Sequence, residues 1–413
     1  MLKLKSLIIA FLLLSCIVAG ACQEQQNFTT SLNEIIDPYR FSIVEWELKT
    51  LSYELEDVIF NEMYYTVGDS EVVLEYFSLT GRISGLENQI SILKDSIGSD
   101  DLNALKTQLE ALKEQRDSLR NGTEYIIEQQ IRETLRQLDI YIYNNTDIDI
   151  TIDFPPVNFA LESPPYLLIV SPRDSIERME EIILLQDLTL DEIDYIESEI
   201  DKLGYSSIVV KLGGMATFPS FVTNNSGLQF TINTAVEQWL HQYLFFKPAG
   251  FLYALNLLGV HGDSDISVIN ETVAGIASDE IGSILYQNYY ARYFEDNSQN
   301  NADNDSDDVE FDFYKEMRNI RIAVDNYLSE GEIDRAESFM EEKRLYILSQ
   351  GYYVRRLNQA YFAFYGTYAS SASSVNPIGE MLWKLRGESS SITEFLGKTS
   401  SITNLDDLIN ILE

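Results

Sequence analysis

The chain has 413 residues, of which 45% are hydrophobic and 12% aromatic, enough to build a sizeable core in one large or two ordinary domains. Its formal net charge of -37, from 66 acidic against 29 basic side chains, argues against nucleic-acid or anionic-membrane binding as a main role. Phosphate attraction needs clustered Lys and Arg, whereas acidity on this scale favours solubility and cationic partners.

In chain order, Lys3 and Lys5 supply a positive start, and residues 6–18 an apolar stretch too short to span a bilayer comfortably. Ala19-Gly20-Ala21 then gives a run of small residues before Cys22. This order resembles a bacterial lipoprotein signal. The resemblance implies that residues 1–21 are removed, that Cys22 carries the lipid, and that the protein is extracytoplasmic and anchored to the membrane. Leu13-Leu14-Ser15-Cys16 is a competing site, although cleavage there leaves apolar Ile17-Val18-Ala19 on the mature end. The same stretch also fits an uncleaved anchor or plain secretion. Both cysteines lie in this segment, so the mature body has no internal disulfide and no thiolate ligand.

Residues 22–36 are read as a polar tether, and 37–142 as a helical domain. Phe41, Val44, Leu48, Leu51 and Leu55 form one helical stripe within 37–65. Leu79, Ile83, Leu86, Ile90, Leu93 and Ile97 then alternate at spacings of four and three, a coiled-coil seam that Gly98-Ser99-Asp100 interrupts. Leu102, Leu105, Leu109, Leu112 and Leu119 make a second seam, so the pair predicts a long antiparallel helical hairpin. Such an arm is either structural or a partner-binding surface. A third helix is expected over 124–141, with Ile127, Ile131, Leu135 and Leu138 on one face.

The remainder, 143–413, is expected to be an α+β domain with a small sheet. Ile148, Ile150 and Ile152 alternate with polar residues as a strand, and 164–170 reads as a buried strand. The stretch 176–203 is expected to be helical with a break near Leu188-Thr189. Strands are predicted over 207–212, 218–222 and 228–232, the last two around Asn224-Asn225-Ser226-Gly227. Residues 295–312 hold eight carboxylates among eighteen residues and read as a disordered acidic loop. Asp303-Asn304-Asp305-Ser306-Asp307 mimics the start of a calcium loop but lacks its turn Gly and its closing Glu. Helices are expected over 313–328, 333–350 and 354–365.

One stretch carries chemistry: Glu237-Gln238-Trp239-Leu240-His241, followed by Asn270-Glu271-Thr272-Val273-Ala274. Glu237 and His241 are four apart, so on a helix both emerge from one face and can reach one ion. The plain alternative is an amphipathic helix with Trp239, Leu240, Tyr243, Leu244 and Phe246 in the core and His241 buried on a hydrogen-bond partner. The stretch also resembles the His-Glu-x-x-His site of zincin metallopeptidases of the gluzincin type, with two positions substituted. That resemblance implies Glu237, His241 and Glu271 as zinc ligands, and it places Gln238 where the general base stands. An amide cannot take a proton at neutral pH, so hydrolysis is expected to be impaired. Asp263, Asp265 or Glu280 could substitute as base. His261 is a replacement ligand, a proton donor or an exposed loop residue.

Farther on, Arg355-Arg356-Leu357-Asn358-Gln359-Ala360-Tyr361 and the later Tyr368 resemble the Leu-Asn-Asn-Ala segment and Tyr of a family of aminopeptidase-like envelope proteins. Gln359 replaces that family's second Asn. The resemblance implies that Asn358, Tyr361 or Tyr368 lines the cleft, a Tyr being suited to donate to a developing oxyanion; core packing is the alternative. Together these readings predict a lipid-anchored, extracytoplasmic zincin-like metallopeptidase relative that uses zinc and meets a peptide or protein. The other reading is a noncatalytic envelope scaffold or peptide-binding protein acting through its helical arm. Neither fixes the oligomeric state.

Overall fold

A computed structural model describes residues 28–43, 45–46, 65–93, 99–140, 143–145, 150–152, 154–257, 263–293, 311–368, 371 and 376–413. Cys16, Cys22, His261, most of the helix expected over 37–65 and the acidic segment up to residue 310 lie outside the described residues. Among the described residues, no helix is long and apolar enough to cross a membrane.

The elements run α1 (residues 28–36), α2 (Ser70–Leu93), α3 (Ser99–Ser118) and α4 (Arg120–Gln137). Then come β1 (Tyr143–Asn145), β2 (Ile150–Ile152), β3 (Phe159–Leu161), β4 (Tyr166–Ser171), β5 (Glu180–Leu184) and α5 (Leu190–Lys202). Strands β6 (Ser206–Lys211), β7 (Gly214–Met215) and β8 (Ser220–Val222) precede helices α6 (Leu228–Phe245), α7 (Pro248–Leu257) and α8 (Ser264–Tyr289). The chain ends with α9 (Phe313–Ser329), α10 (Ile333–Ser349), α11 (Gln359–Tyr365), α12 (Ile378–Gly387), α13 (Ile392–Thr399) and α14 (Leu405–Leu412). The protein is thus mainly helical with small sheets, within a general α+β class. It divides into two compact units, each threaded by three stretches of chain, rather than in series at residue 142.

The first unit comprises Met1–Phe41, Pro165–Val210 and Ala323–Phe364. Its sheet has the order β5-β4-β6, with β4 and β5 antiparallel from Tyr166↔Leu184 to Val170↔Glu180. The helix expected across 176–203 is therefore a strand in its first part. Ile182 and Leu184 are buried against Leu168 and Val170, and alternation of this kind suits a half-covered strand better than a helix. The expected break near Leu188-Thr189 is a capping box: Thr189 accepts from the Glu192 amide while the Glu192 carboxylate accepts from the Thr189 amide, and α5 starts there. Residues 28–36 are helical rather than a free tether. Phe28, Leu32 and Ile36 recur every fourth residue and bury one face beside Ile193, Ile196 and Ile200 of α5. Helix α11 starts five residues later than expected, because the Asn358 side chain accepts from the Tyr361 amide at 2.9 Å and caps it.

The second unit comprises Ser42–Pro164, Lys211–Ile322 and Tyr365–Glu413. Helices α2 and α3 share an apolar cluster of Leu79, Ile83, Leu86, Leu109 and Leu112, closed at its edge by Lys113 on Glu87 at 3.0 Å. Helix α4 begins four residues before the expected start and buries Ile127, Ile131 and Leu135. A small mixed sheet has the order β3-β8-β7, with β3 parallel and β7 antiparallel to β8.

The strand expected at 228–232 is the first turn of α6. Leu228 and Ile232 continue a row with Val236, Leu240 and Leu244 at every fourth position, all buried, so helical periodicity outweighs the β-branched composition. The partner row on α8 is Ile269, Val273, Ala277, Ile281 and Leu285, again every fourth and buried. Strand β7 meets α6 closely. A Cβ on Gly214 would stand 2.6 Å from Thr234 Cγ2 and 2.9 Å from the Phe221 carbonyl oxygen. Gly214→Ala should therefore cost about 1–3 kcal/mol, read as a fall in the denaturation midpoint at unchanged slope. A neutral substitution would show that the sheet is not seated so tightly on α6.

Candidate metal centre

Beside the α6 core stripe lie two adjoining polar rows. Gln229, Asn233, Glu237 and His241 recur every fourth residue and lie along α8, while Thr234, Gln238 and Gln242 line the side toward the sheet. On that side the Gln238 Cγ sits beside Gly214, and the Gln242 amide donates to the Thr217 carbonyl at 2.6 Å. On the α8 side, Gln229 donates to Asn233 and Asn233 donates to Asp279, each at 2.8 Å. His241 reaches Asn270 and Glu271 at the other end, so the two helices run antiparallel.

Glu237, His241 and Glu271 converge, one ligand atom from each lying within 4.8 Å of the other two. His241 Nδ1 is 3.0 Å from Asn270 Oδ1, an acceptor, so Nδ1 carries the proton. Nε2 faces the other way, 3.7 Å from Glu271 Oε2. The other Glu271 oxygen accepts from the Tyr253 hydroxyl at 2.5 Å, and the Tyr253 ring stacks on His241 at 5.7 Å between centroids. The set thus brings two carboxylates and one ring nitrogen together away from water, an arrangement that is costly unless a cation or a shared proton sits between.

Two further observations fit a cation. Burial, with repulsion from Glu271 and Asp279 added, pushes the Glu237 carboxyl up to about 7 despite the opposing influence of His241. The Asn270 amide, with its oxygen committed to His241, leaves Nδ2 buried and without a partner. An unmet buried donor costs about 1–3 kcal/mol, a sacrifice that fixes the His241 ring and tautomer in the way hydrogen-bonded histidine ligands are fixed.

Sequence spacing brought the three acceptors together, but it missed Tyr253 and the role of Asn270. Asn270 was visible only as part of Asn270-Glu271. Tyr253 stands on α7, which turns back onto α6 after Pro248, and no motif spacing marks it. Two of the three candidate substitute bases, Asp263 and Glu280, are otherwise engaged. Asp263 caps α8 by accepting from the Asp265 amide, and Glu280 holds Arg386 through two bonds of 2.7 Å. Gln238 is buried against the sheet. Asn358 and Tyr361 belong to the first unit, where the Asn358 amide also donates to the Ser207 carbonyl at 2.8 Å. Tyr368 is half-buried in the turn after α11. No protein-family model, no curated protein and no solved structure matches this chain.

Proposed function

We propose that Glu237, His241 and Glu271 hold one divalent cation in a zincin-like, lipid-anchored extracytoplasmic protein that meets peptide at this site and hydrolyses it poorly. The observation carrying this reading is the convergence of three lone-pair donors within 4.8 Å on adjoining helices. A neutral imidazole fixed by Asn270 and two carboxylates suit a borderline ion, and zinc is the ion that the motif resemblance favours. When bound, the ion supplies Lewis-acid polarisation of a peptide carbonyl. Two carboxylates cancel its charge, so that polarisation is weaker than with two neutral His. Gln238 donates and accepts hydrogen bonds, and so can orient a peptide, but it holds no basic lone pair for the attacking water's proton. Helices α2 and α3, with their shared seam, are read as an antiparallel coiled-coil arm of the same protein.

Thermal melting of metal-stripped protein, with zinc and then manganese added, tests the site. At a hundredfold excess over Kd the ion should add about 2.7 kcal/mol, a rise of roughly 5–10 °C for a domain of this size. The sign with pH follows from Glu237. Its folded carboxyl is raised to about 7, so the metal-free fold is most stable below the ordinary carboxylate range and loses stability as pH rises through 7. The ion needs the ionised form, so the metal-induced rise should be larger at pH 7.5 than at pH 5.5. No shift with either ion at pH 7.5 would remove the metal reading.

A further inference from the structure

Helix α7 brings one side chain to the Glu237, His241 and Glu271 cluster from a third element, and the helix is seated at both ends. At its start, a Cβ on Gly250 would stand 2.2 Å from the carbonyl carbon and oxygen of Leu244, so only glycine lets α7 approach the end of α6 this closely. The neighbouring Ala249 amide donates to the Ser400 carbonyl at 3.2 Å. At the other end, Asn256 accepts from the Asp263 amide at 3.1 Å and donates to the Ser267 hydroxyl at 3.2 Å, which ties α7 to the first turn of α8. Tyr253 stands between these two anchors. The seating of the helix therefore decides where its hydroxyl goes.

That hydroxyl donates to Glu271 Oε1 at 2.5 Å, and the Tyr253 ring lies 22° from parallel with the His241 ring at 5.7 Å between centroids. The Glu271 side chain is only 7% exposed, so little water competes for the bond, and a hydroxyl on a carboxylate makes one of the stronger hydrogen bonds available to a protein. The two oxygens of Glu271 are thereby made unequal. Oε1 is turned to Tyr253, and Oε2 is the one 3.7 Å from His241 Nε2. A carboxylate free to turn can offer both oxygens to one ion. This one is held with a single oxygen inward, as Asn270 holds the His241 ring through Nδ1 at 3.0 Å.

We propose that Tyr253 is a positioning residue of the metal centre, whose hydroxyl keeps Glu271 a one-oxygen ligand through Oε2. Three protein atoms then take three positions of a tetrahedral ion, and the fourth stays open to water or a peptide carbonyl. With Oε1 released, Glu271 can fill that fourth position itself and close the site. The proposal rests on the metal reading of this cluster and adds the group that limits how many positions the protein takes. Hydrogen-bond partners of this kind typically contribute about ten- to a hundredfold in metal affinity.

Cobalt(II) titrated into the metal-stripped full chain tests this, because its visible absorption is strong when four-coordinate and weakens as a fifth ligand joins, while the titration gives Kd. The wild-type chain should show the strong bands at about one equivalent of cobalt. Tyr253→Phe removes one oxygen and keeps the ring on His241. Its bands should be weaker and its cobalt Kd about ten- to a hundredfold higher, with the circular dichroism of the metal-free variant matching the wild-type chain. A merely structural hydroxyl would move the dichroism and leave the bands of bound cobalt as they were. Cobalt bound with the same bands and Kd by both chains would overturn the proposal and leave the metal reading standing. A variant that no longer folds would overturn it too, by making the hydroxyl structural. No cobalt on the wild-type chain would remove the metal reading and this proposal with it.

Discussion

Gln238→Glu is expected to raise peptide hydrolysis by about a hundred- to ten-thousand-fold over the wild-type chain, the span typically contributed by a positioned general base. The substitution preserves shape, and the Cγ that rests beside Gly214 stays where it is. What changes is that a carboxylate, able to take the attacking water's proton, stands one position after Glu237 on α6. The increase should require the metal ligands, so Glu271→Gln in the same background should remove it. Hydrolysis unchanged by Gln238→Glu, with metal bound, would point to a site that only binds.

The largest loss of stability is expected in the first unit, from Glu197→Ala. Glu197 is 1% exposed and accepts from Arg355, Arg356 and the Val209 amide of β6, the last at 2.7 Å. Removing it strands two partly buried guanidiniums and one buried strand N–H, and empties the space between α5 and β6. Breaking such a group from one side typically costs about 3–5 kcal/mol, far more than an exposed pair. Urea denaturation should show this as a lower midpoint, with Glu197→Gln, which keeps the volume and one acceptor, losing less. A loss below about 1 kcal/mol for the alanine variant would mean that solvent already reaches the pair.

The site was more legible in the sequence than the sheets around it. Glu237 and His241 share a face by helical spacing alone, and Asn270-Glu271 marks the facing helix, so the three converging side chains could be named without coordinates. Helix periodicity also identified the seams Leu79/Ile83/Leu86 and Leu109/Leu112. Short apolar runs were harder. Glu180–Leu184 reads as helix or strand until its pairing with β4 is known, and Leu228-Ile232 reads as strand until the row to Leu240 is followed. The burial of Phe28, Leu32 and Ile36 was masked by polar neighbours, although their four-residue spacing was present. Tyr253 and the pairing of Glu197 with Arg355 and Arg356 depend on contacts between separated segments, which no local pattern encodes.

Elemental analysis of the purified full chain, after dialysis against limiting zinc, tests most directly for a cation between α6 and α8. It should show about one equivalent of zinc per chain, lost in His241→Ala and in Glu271→Gln and retained in Gln238→Glu. No bound zinc in the wild-type chain, or the same content in all variants, would contradict it.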